Sequence, residues 1–184
     1  KRQINKYGAD AVRFTLSSMA AMGRDLKLSI DRVMGYRNFG TKIWNAARFA
    51  KLNNCESSTN FVPRSVKHSI NKWIIFETIN LNKEVNNALN SFRFNDASYY
   101  LYSHIWSKFC DWYIEFSKPL FSGLDEEIKL ETQQTYAWVF EQCLIMLHPF
   151  MPFITEEIWL QKKDRKKLII HQTWPDLDLS LIHI

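Results

Sequence analysis

Glycine and proline are both scarce in this sequence, each occurring five times in 184 residues. Average proteins contain roughly 7% glycine and 5% proline, so the composition disfavours collagen-like repeats, flexible linkers and turn-rich all-β folds. Long apolar runs are also missing. Because a membrane-spanning helix needs about 20 consecutive apolar residues, we expect no membrane partner. The first residues lack the apolar run of a signal peptide. Because residue 1 is not Met, we expect the chain to be a piece of a longer protein.

Cysteine is infrequent and its spacing excludes two classes of structural site. Cys55, Cys110 and Cys143 are odd in number and far apart. They therefore fit neither a disulfide framework nor a pair of zinc-binding CxxC motifs. We expect a reducing, cytoplasmic setting.

Positive charge is concentrated in the first third of the chain. Residues 1–54 hold eleven Lys/Arg and three Asp/Glu, and the remaining 130 residues hold thirteen and sixteen. The two parts carry net charges of +8 and −3, which add to the +5 of the whole chain. A basic segment on a near-neutral body is typical of a surface that binds a polyanion, and also of an ordinary solvated helix face.

The spacing of apolar residues and of helix-ending residues predicts an all-α helical bundle with a short β or irregular tail. The predicted helices run from about Asn5 to Ala21, Asp31 to Asn54, Pro63 to Leu89, Asn95 to the residue before Pro119, Asp125 to Leu147 and Pro152 to Gln161. Leu26 to Ile30 is predicted as a short extended stretch and Leu168 to His171 as a strand. Aromatics make up 15% of the residues, which is enough to build a core.

The fourth predicted helix carries a continuous aromatic stripe. Its members recur at steps of three and four residues: Tyr99, Tyr102, Trp106, Phe109, Tyr113 and Phe116. Such a stripe predicts the core of a bundle. A platform on which nucleobases stack is the alternative.

The second predicted helix has one apolar face and one face that packing does not explain. The apolar face consists of Val33, Tyr36, Gly40, Ile43, Ala47 and Ala50. A second face carries Asn38, Lys42, Asn45 and Phe49, and an adjacent stripe carries Arg37, Trp44, Arg48 and Lys51. A phenyl ring among cations and amides suits stacking on an unpaired base while the cations contact phosphates.

No catalytic or metal-binding pattern is present in the sequence. It contains neither GxGxxG nor GxxxxGK[ST], and its five histidines do not pair at metal-ligand spacing. Cys110 and His104 could form a nucleophile pair, but the position of Cys110 beside the aromatic stripe indicates a buried, inert thiol. We expect no catalytic residue, no metal and no cofactor in this chain.

Several segments resemble class I aminoacyl-tRNA synthetases of the valine, isoleucine and leucine group. They are Lys6 to Phe14, Gly23 to Asp25, Gly35 to Phe39, Lys42 to Phe49, Phe109 to Glu115, Lys118-Pro119, Leu147 to Glu157 and Trp174-Pro175. In order and spacing these motifs are similar to the valyl-tRNA synthetase version. The isoleucine enzyme shares the Tyr-Gly-Ala-Asp and His-Pro-Phe signatures but differs in the motif of the second helix.

The resemblance implies a helical anticodon-binding domain at residues 23–161. Residues 1–22 would end the connection from a catalytic domain, and residues 162–184 would form a charged loop, a short strand and the start of the next segment. The parent enzyme would attach valine to tRNA(Val) with ATP and magnesium, as a monomer in the cytoplasm. It would also hydrolyse mischarged Thr-tRNA(Val), because an apolar pocket rejects threonine by only about a hundredfold.

The resemblance also places the Arg-Phe end of the second helix near the anticodon loop. Phe49 is the predicted stacking ring, and Asn45 and Asn38 would contact base edges. The cations expected to neutralise phosphates are Arg37, Lys42, Arg48 and Lys51. Two alternatives stay open: the equivalent domain of an isoleucyl- or leucyl-tRNA synthetase, and a helical scaffold for protein partners.

Overall fold

The computed structural model describes residues 2–20, 28–162 and 167–178. Within them the chain forms α1 (Arg2–Tyr7), α2 (Ala9–Met19), α3 (Ile30–Leu52), α4 (Ser69–Asn90), α5 (Phe94–Ser103), a π-helical segment (His104–Tyr113), α6 (Ile114–Ser122), α7 (Glu126–Leu147) and α8 (Pro152–Leu160). Two short 3₁₀ turns lie at Pro63–Ser65 and Ile169–His171. The prediction of an all-α bundle is confirmed. No helix of these described ranges could cross a membrane.

Neither of the two segments predicted to be extended forms a strand among the described residues. The strand predicted from Leu168 to His171 is wrong, because this segment forms a 3₁₀ turn. The segment has no neighbouring strand among the described residues, so its apolar side chains pack singly, as Ile169 does in the core. The predicted extended stretch and the Gly23 to Asp25 motif fall largely in residues 21–27, outside the described residues.

The fourth predicted helix is longer and less regular than expected. It runs without interruption from α5 through the π-helical segment to α6 and passes Pro119. Pro119 is exposed and close to the end of α6, where its missing N–H affects only the last turn. The helix begins at Phe94, one residue before the predicted start at Asn95, and no side chain caps it. Asp96, in its first turn, pairs with Arg93 at 3.2 Å.

The π-helical segment divides the aromatic stripe into a buried middle and exposed ends. A π-turn holds more residues than an α-turn, so ten residues of it rotate the stripe relative to the core. Phe109 and Tyr113 are fully buried, whereas Tyr99 and Phe116 are exposed. The stripe is therefore core over its central part only.

The core lies where α3, α4, the π-helical segment and α7 meet. Tyr136 of α7 is fully buried there, and its hydroxyl donates to the Ala46 carbonyl of α3 at 2.9 Å. The Tyr113 hydroxyl donates to Asn71 Oδ1 of α4 at 2.8 Å. These two bonds satisfy buried phenols and join α3 to α7 and the π-helical segment to α4.

Candidate functional site

The polar face of α3 is open to solvent along most of the helix. Arg37, Asn38, Asn45, Arg48 and Lys51 are all exposed. Arg37 and Arg48 are eleven residues apart, close to three turns, and Asn38 and Asn45 are seven residues apart, close to two turns. The five side chains therefore lie on one side of the helix, which we call the α3 polar face.

The positive charges of the α3 polar face form no ion pair with another described residue. None of the ion pairs between described residues includes Arg37, Arg48 or Lys51. The side chains of these three cations also make no hydrogen bond to another described residue. Their charges therefore stay available to an anionic ligand.

Lys42 is placed differently from the other predicted cations. Its ammonium pairs with the Asp111 carboxylate of the π-helical segment and lies 4.0 Å from the centroid of the Trp106 ring. The Lys42 side chain is 24% exposed. Because its charge is compensated within the protein, Lys42 lies beside the α3 polar face without adding a free cation to it.

Phe49, the predicted stacking ring, is half-buried and does not face solvent alone. Its ring centroid lies 5.6 Å from that of Phe121 and 5.8 Å from that of Tyr136. Both partners belong to the core, and Phe49 packs against it. The cause is that α6 and α7 approach the end of α3 on this side. A role for Phe49 in RNA binding stays a prediction.

Two of the sequence motifs meet beside α3 and hold α8 in place. Asp10 of α2 accepts hydrogen bonds from the backbone N–H groups of Phe153 at 3.2 Å and Ile154 at 2.7 Å. Arg13 donates to the Pro149 carbonyl at 2.9 Å. Burial raises the pKa of the Asp10 carboxyl, and the two backbone donors act in the opposite direction. The Asp10 carboxylate thus accepts hydrogen bonds from N–H groups at the start of α8 that have no partner within the helix.

Cys110 and His104 do not form a reactive pair. Both are buried, and burial raises the pKa of the Cys110 thiol to about 12. Burial lowers the pKa of His104 to about 3, and its Nε2 lies 3.4 Å from Thr78 Oγ1. Near neutral pH the thiol is therefore protonated and the imidazole uncharged. Within the described part of the chain no group of three or more His, Cys, Asp or Glu could hold a metal ion.

Sequence reasoning missed the two residues that neutralise and cover Lys42. Asp111 and Trp106 lie more than sixty positions along the chain from Lys42. Trp106 belongs to the predicted aromatic stripe and Asp111 to the Phe109 to Glu115 motif, but neither feature indicated Lys42 as the partner. The π-helical winding decides which residues of that helix face α3.

The sequence of this chain matches a known family of domains and resembles several curated proteins. A family model described as "Anticodon-binding domain of tRNA ligase" matches residues 71–182. Curated relatives include the Valine--tRNA ligase of Cereibacter sphaeroides strain ATCC 17023, 51% identical over 181 residues and 97% of this chain. The Valine--tRNA ligase of Ruegeria pomeroyi is 52% identical over 178 residues and 94% of this chain.

The same comparisons show that the chain matches a small part of each relative. It spans 18% of the Cereibacter protein and 17% of the Ruegeria protein. Among solved structures, the LeuRS of a ternary LeuRS-tRNA-LeuAMS complex from Agrobacterium radiobacter K84 superposes with a TM-score of 0.75. That match covers 99% of this chain and 21% of the LeuRS chain at 17% identity, and it shows a shared fold.

Proposed function

Because the chain belongs to the family of anticodon-binding domains of tRNA ligases, we propose that the α3 polar face binds the anticodon loop of a tRNA. The observation that carries the proposal is the row of exposed cations on α3, Arg37, Arg48 and Lys51, with no acidic partner among the described residues. Unpaired positive charge on one helix face is the feature that an RNA backbone requires.

The residues of the α3 polar face divide into two chemical roles. Arg37, Arg48 and Lys51 contact phosphates, which supplies most of the affinity and makes it depend on salt. The amides of Asn38 and Asn45 donate and accept hydrogen bonds, so they contact the exposed edges of unstacked bases. Both roles use side chains that are exposed before the RNA arrives.

Phe49 and Lys42 form the border of the proposed RNA-binding surface. The half-buried ring of Phe49 offers its accessible part to the outermost base, while Phe121 and Tyr136 hold the ring in place. Lys42, already paired with Asp111, contributes its stem rather than a free charge.

We further propose that the RNA is tRNA(Val) and that the whole protein is a valine–tRNA ligase. The support is the naming of relatives at 51% and 52% identity, of which this chain spans less than a fifth. Such an enzyme attaches valine to tRNA(Val) with ATP and magnesium, edits mischarged Thr-tRNA(Val), and acts as a cytoplasmic monomer. Residues of this chain do not fit ATP, since the sequence contains neither the His-Ile-Gly-His nor the Lys-Met-Ser-Lys-Ser motif. This chain therefore supplies RNA binding to the proposed enzyme.

A salt-dependent titration with an anticodon stem-loop tests the proposal. Each released counterion contributes about −0.7 to −0.9 to the slope of log affinity against log salt, so three cations predict a slope of about −2 to −3. Arg48→Ala should reduce the magnitude of this slope by about one. Arg64→Ala is the matched control, because Arg64 is also exposed but lies outside α3, and it should leave the slope unchanged.

Sequence selectivity separates the remaining interpretations. The stem-loop of tRNA(Val) should bind more tightly than two others: the stem-loop of tRNA(Ile), and that of tRNA(Val) with an exchanged anticodon. Equal affinity for all three would contradict anticodon recognition, and preference for the isoleucine anticodon would favour a neighbouring synthetase. Absence of RNA binding at low salt would refute the proposal and favour the scaffold for protein partners.

A further inference from the structure

A groove of about 430 Å³ lies along the flank of α3 opposite Phe49. Its walls are the turn between α1 and α2, the first half of α3 and the start of α8. We call it the α3 flank groove, and its lining from α3 includes Tyr36, Arg37, Gly40, Thr41 and Trp44. It therefore shares one helix with the α3 polar face and joins that face at Arg37.

Two glycines shape the groove. Gly8 adopts a φ of +90°, which L side chains rarely adopt, and a Cβ placed there would meet nothing within 4 Å. A Cβ at Gly40 would lie 3.6 Å from both Ile154 Cδ1 and Met151 Cε, an ordinary van der Waals contact, so this position of α3 faces apolar side chains at the start of α8. Gly8 permits the turn between α1 and α2 that lines the groove, and Ile154 and Met151 supply apolar lining beside Gly40.

The polar groups of the groove are few and chemically distinct. Arg37 and Thr41 are exposed, and Thr41 Oγ1 lies 3.3 Å from the Arg37 carbonyl, a long hydrogen bond that leaves the hydroxyl able to accept. Asp10 is the single acidic residue among the described residues that line the groove. Its carboxylate accepts two backbone N–H groups of α8, and a carboxylate offers about four acceptor positions. The groove is therefore lined by the acceptors of a half-buried carboxylate, Asp10, and by an exposed cation, Arg37.

We propose that the α3 flank groove holds one unstacked base of the bound RNA, with the phosphate of that nucleotide on Arg37. The inference rests on the proposed function and adds a second contact region to it. The volume falls in the range of about 300–1,000 Å³ that is usual for ligand pockets with mainly apolar walls. Half-buried Trp44 supplies ring surface for a flat heterocycle, while Tyr36 lines the groove with its ring held against Phe14 and Tyr102.

The distribution of charge fixes the orientation of the nucleotide. A phosphate inside the groove would meet the carboxylate of Asp10, whereas a base presents N–H donors to it. A phosphate at the rim meets Arg37, whose guanidinium forms no ion pair with another described residue. The base therefore enters and the backbone stays on the α3 polar face.

Filling the groove without changing its charge tests this inference. Thr41→Leu adds bulk at an exposed helix position, and Ala9→Leu adds bulk from the opposite wall. Thr59→Leu, at an exposed position outside the groove, is the matched control. The 184-residue chain is titrated with the tRNA(Val) anticodon stem-loop, and circular dichroism verifies that each variant is folded.

Loss of one stacked base corresponds to at least about a fivefold loss of affinity. We expect this loss for Thr41→Leu or Ala9→Leu with an unchanged salt slope, because neither variant removes a cation. If the folded variants bind like Thr59→Leu while Arg48→Ala still weakens binding, the groove inference is overturned and the proposed function stands. If the unmodified chain binds no RNA at low salt, both fall together.

Discussion

Replacing Phe49 with alanine separates the structural contribution of this ring from its proposed contact with RNA. As the stacking ring that the sequence predicts, Phe49 would contribute to RNA binding and little to the fold. The structure changes that expectation, because the ring packs against Phe121 and Tyr136 at the edge of the core. We therefore expect the variant to lose stability as well as affinity.

The magnitude follows from how much of the ring is buried. Truncation of a fully buried Phe to Ala costs about 3–5 kcal/mol, and each aromatic pair is worth about 0.5–1.5 kcal/mol beyond its buried area. For the half-buried Phe49 with two ring neighbours, we expect the free energy of unfolding to fall by about 2–3 kcal/mol. A domain of this size loses about 2–4 °C of Tm per kcal/mol, so Tm should fall by about 5–10 °C.

Phe116→Ala provides the control because it is the same exchange on an exposed ring. Phe116 is 51% exposed and its ring contacts that of Trp112 at 5.5 Å. Urea unfolding followed by circular dichroism should show a loss below about 1 kcal/mol for this variant. Equal losses for both variants would refute the packing assigned to Phe49. RNA affinity is then compared at a temperature where both variants are fully folded, and only Phe49→Ala should weaken it.

Three further changes test parts of the fold. His104→Gln should remove part of the chain's acid sensitivity. Because burial lowers the folded-state pKa of His104 to about 3, this imidazole takes up a proton only in the unfolded chain between about pH 6.5 and 3, which lowers the free energy of unfolding by about 2–3 kcal/mol from pH 7 to pH 4.5. The pH-dependent loss should therefore be smaller by about this amount in the variant, and exposed His171→Gln, the control, should leave it unchanged. The Asn82 side chain donates to the Pro175 carbonyl at 3.0 Å and accepts from the Leu177 N–H at 3.2 Å. Asn82→Ala should therefore release residues 174–177 and speed their amide hydrogen exchange, whereas Asn87→Ala, at an exposed position, should not. Phe92→Gly should stabilise the chain by up to about 1 kcal/mol in thermal unfolding, because this exposed residue has a φ of +55°, and a loss of stability would contradict the assigned strain.

Elements whose signals are local were predictable from the sequence. α7 was expected from Asp125 to Leu147 and runs over Glu126–Leu147. Asp125 caps it by accepting from the N–H groups of Glu127 and Ile128, both at 3.0 Å. A capping side chain lies within three residues of the groups it binds, so the sequence window that predicts it contains all of the interaction.

Features that depend on contacts between distant segments were not predictable in the same way. Nothing near Pro119 indicates that α6 continues beyond it, and nothing near His104 indicates a π-helical segment. Helical winding there is set by packing against α3, α4 and α7, which are separate in the sequence. Propensity is a weak guide wherever such tertiary packing decides the outcome.

The prediction of α3 shows the same division within a single helix. Its bounds, Ile30–Leu52, agree with the sequence to within two residues, and the exposed cations Arg37, Arg48 and Lys51 lie on one face as the spacing indicates. Phe39, fully buried, was absent from the predicted apolar face because the residues around it are polar or small. Periodicity locates a helix well, but the exact edges of its buried face depend on where neighbouring helices approach.

The two flanks of α3 consequently differ in what they can give to RNA. On one flank, Lys42 and Phe49 have partners in the protein, so binding RNA there must compete with Asp111 for the ammonium and with Phe121 for the ring. On the other flank, Arg37 forms no ion pair with another described residue, so RNA that binds Arg37 and the groove beside it displaces no ion pair of that cation. Because only contacts that are not already satisfied add to affinity, the exposed cations and the groove should dominate RNA binding, and the Lys42 side should dominate stability.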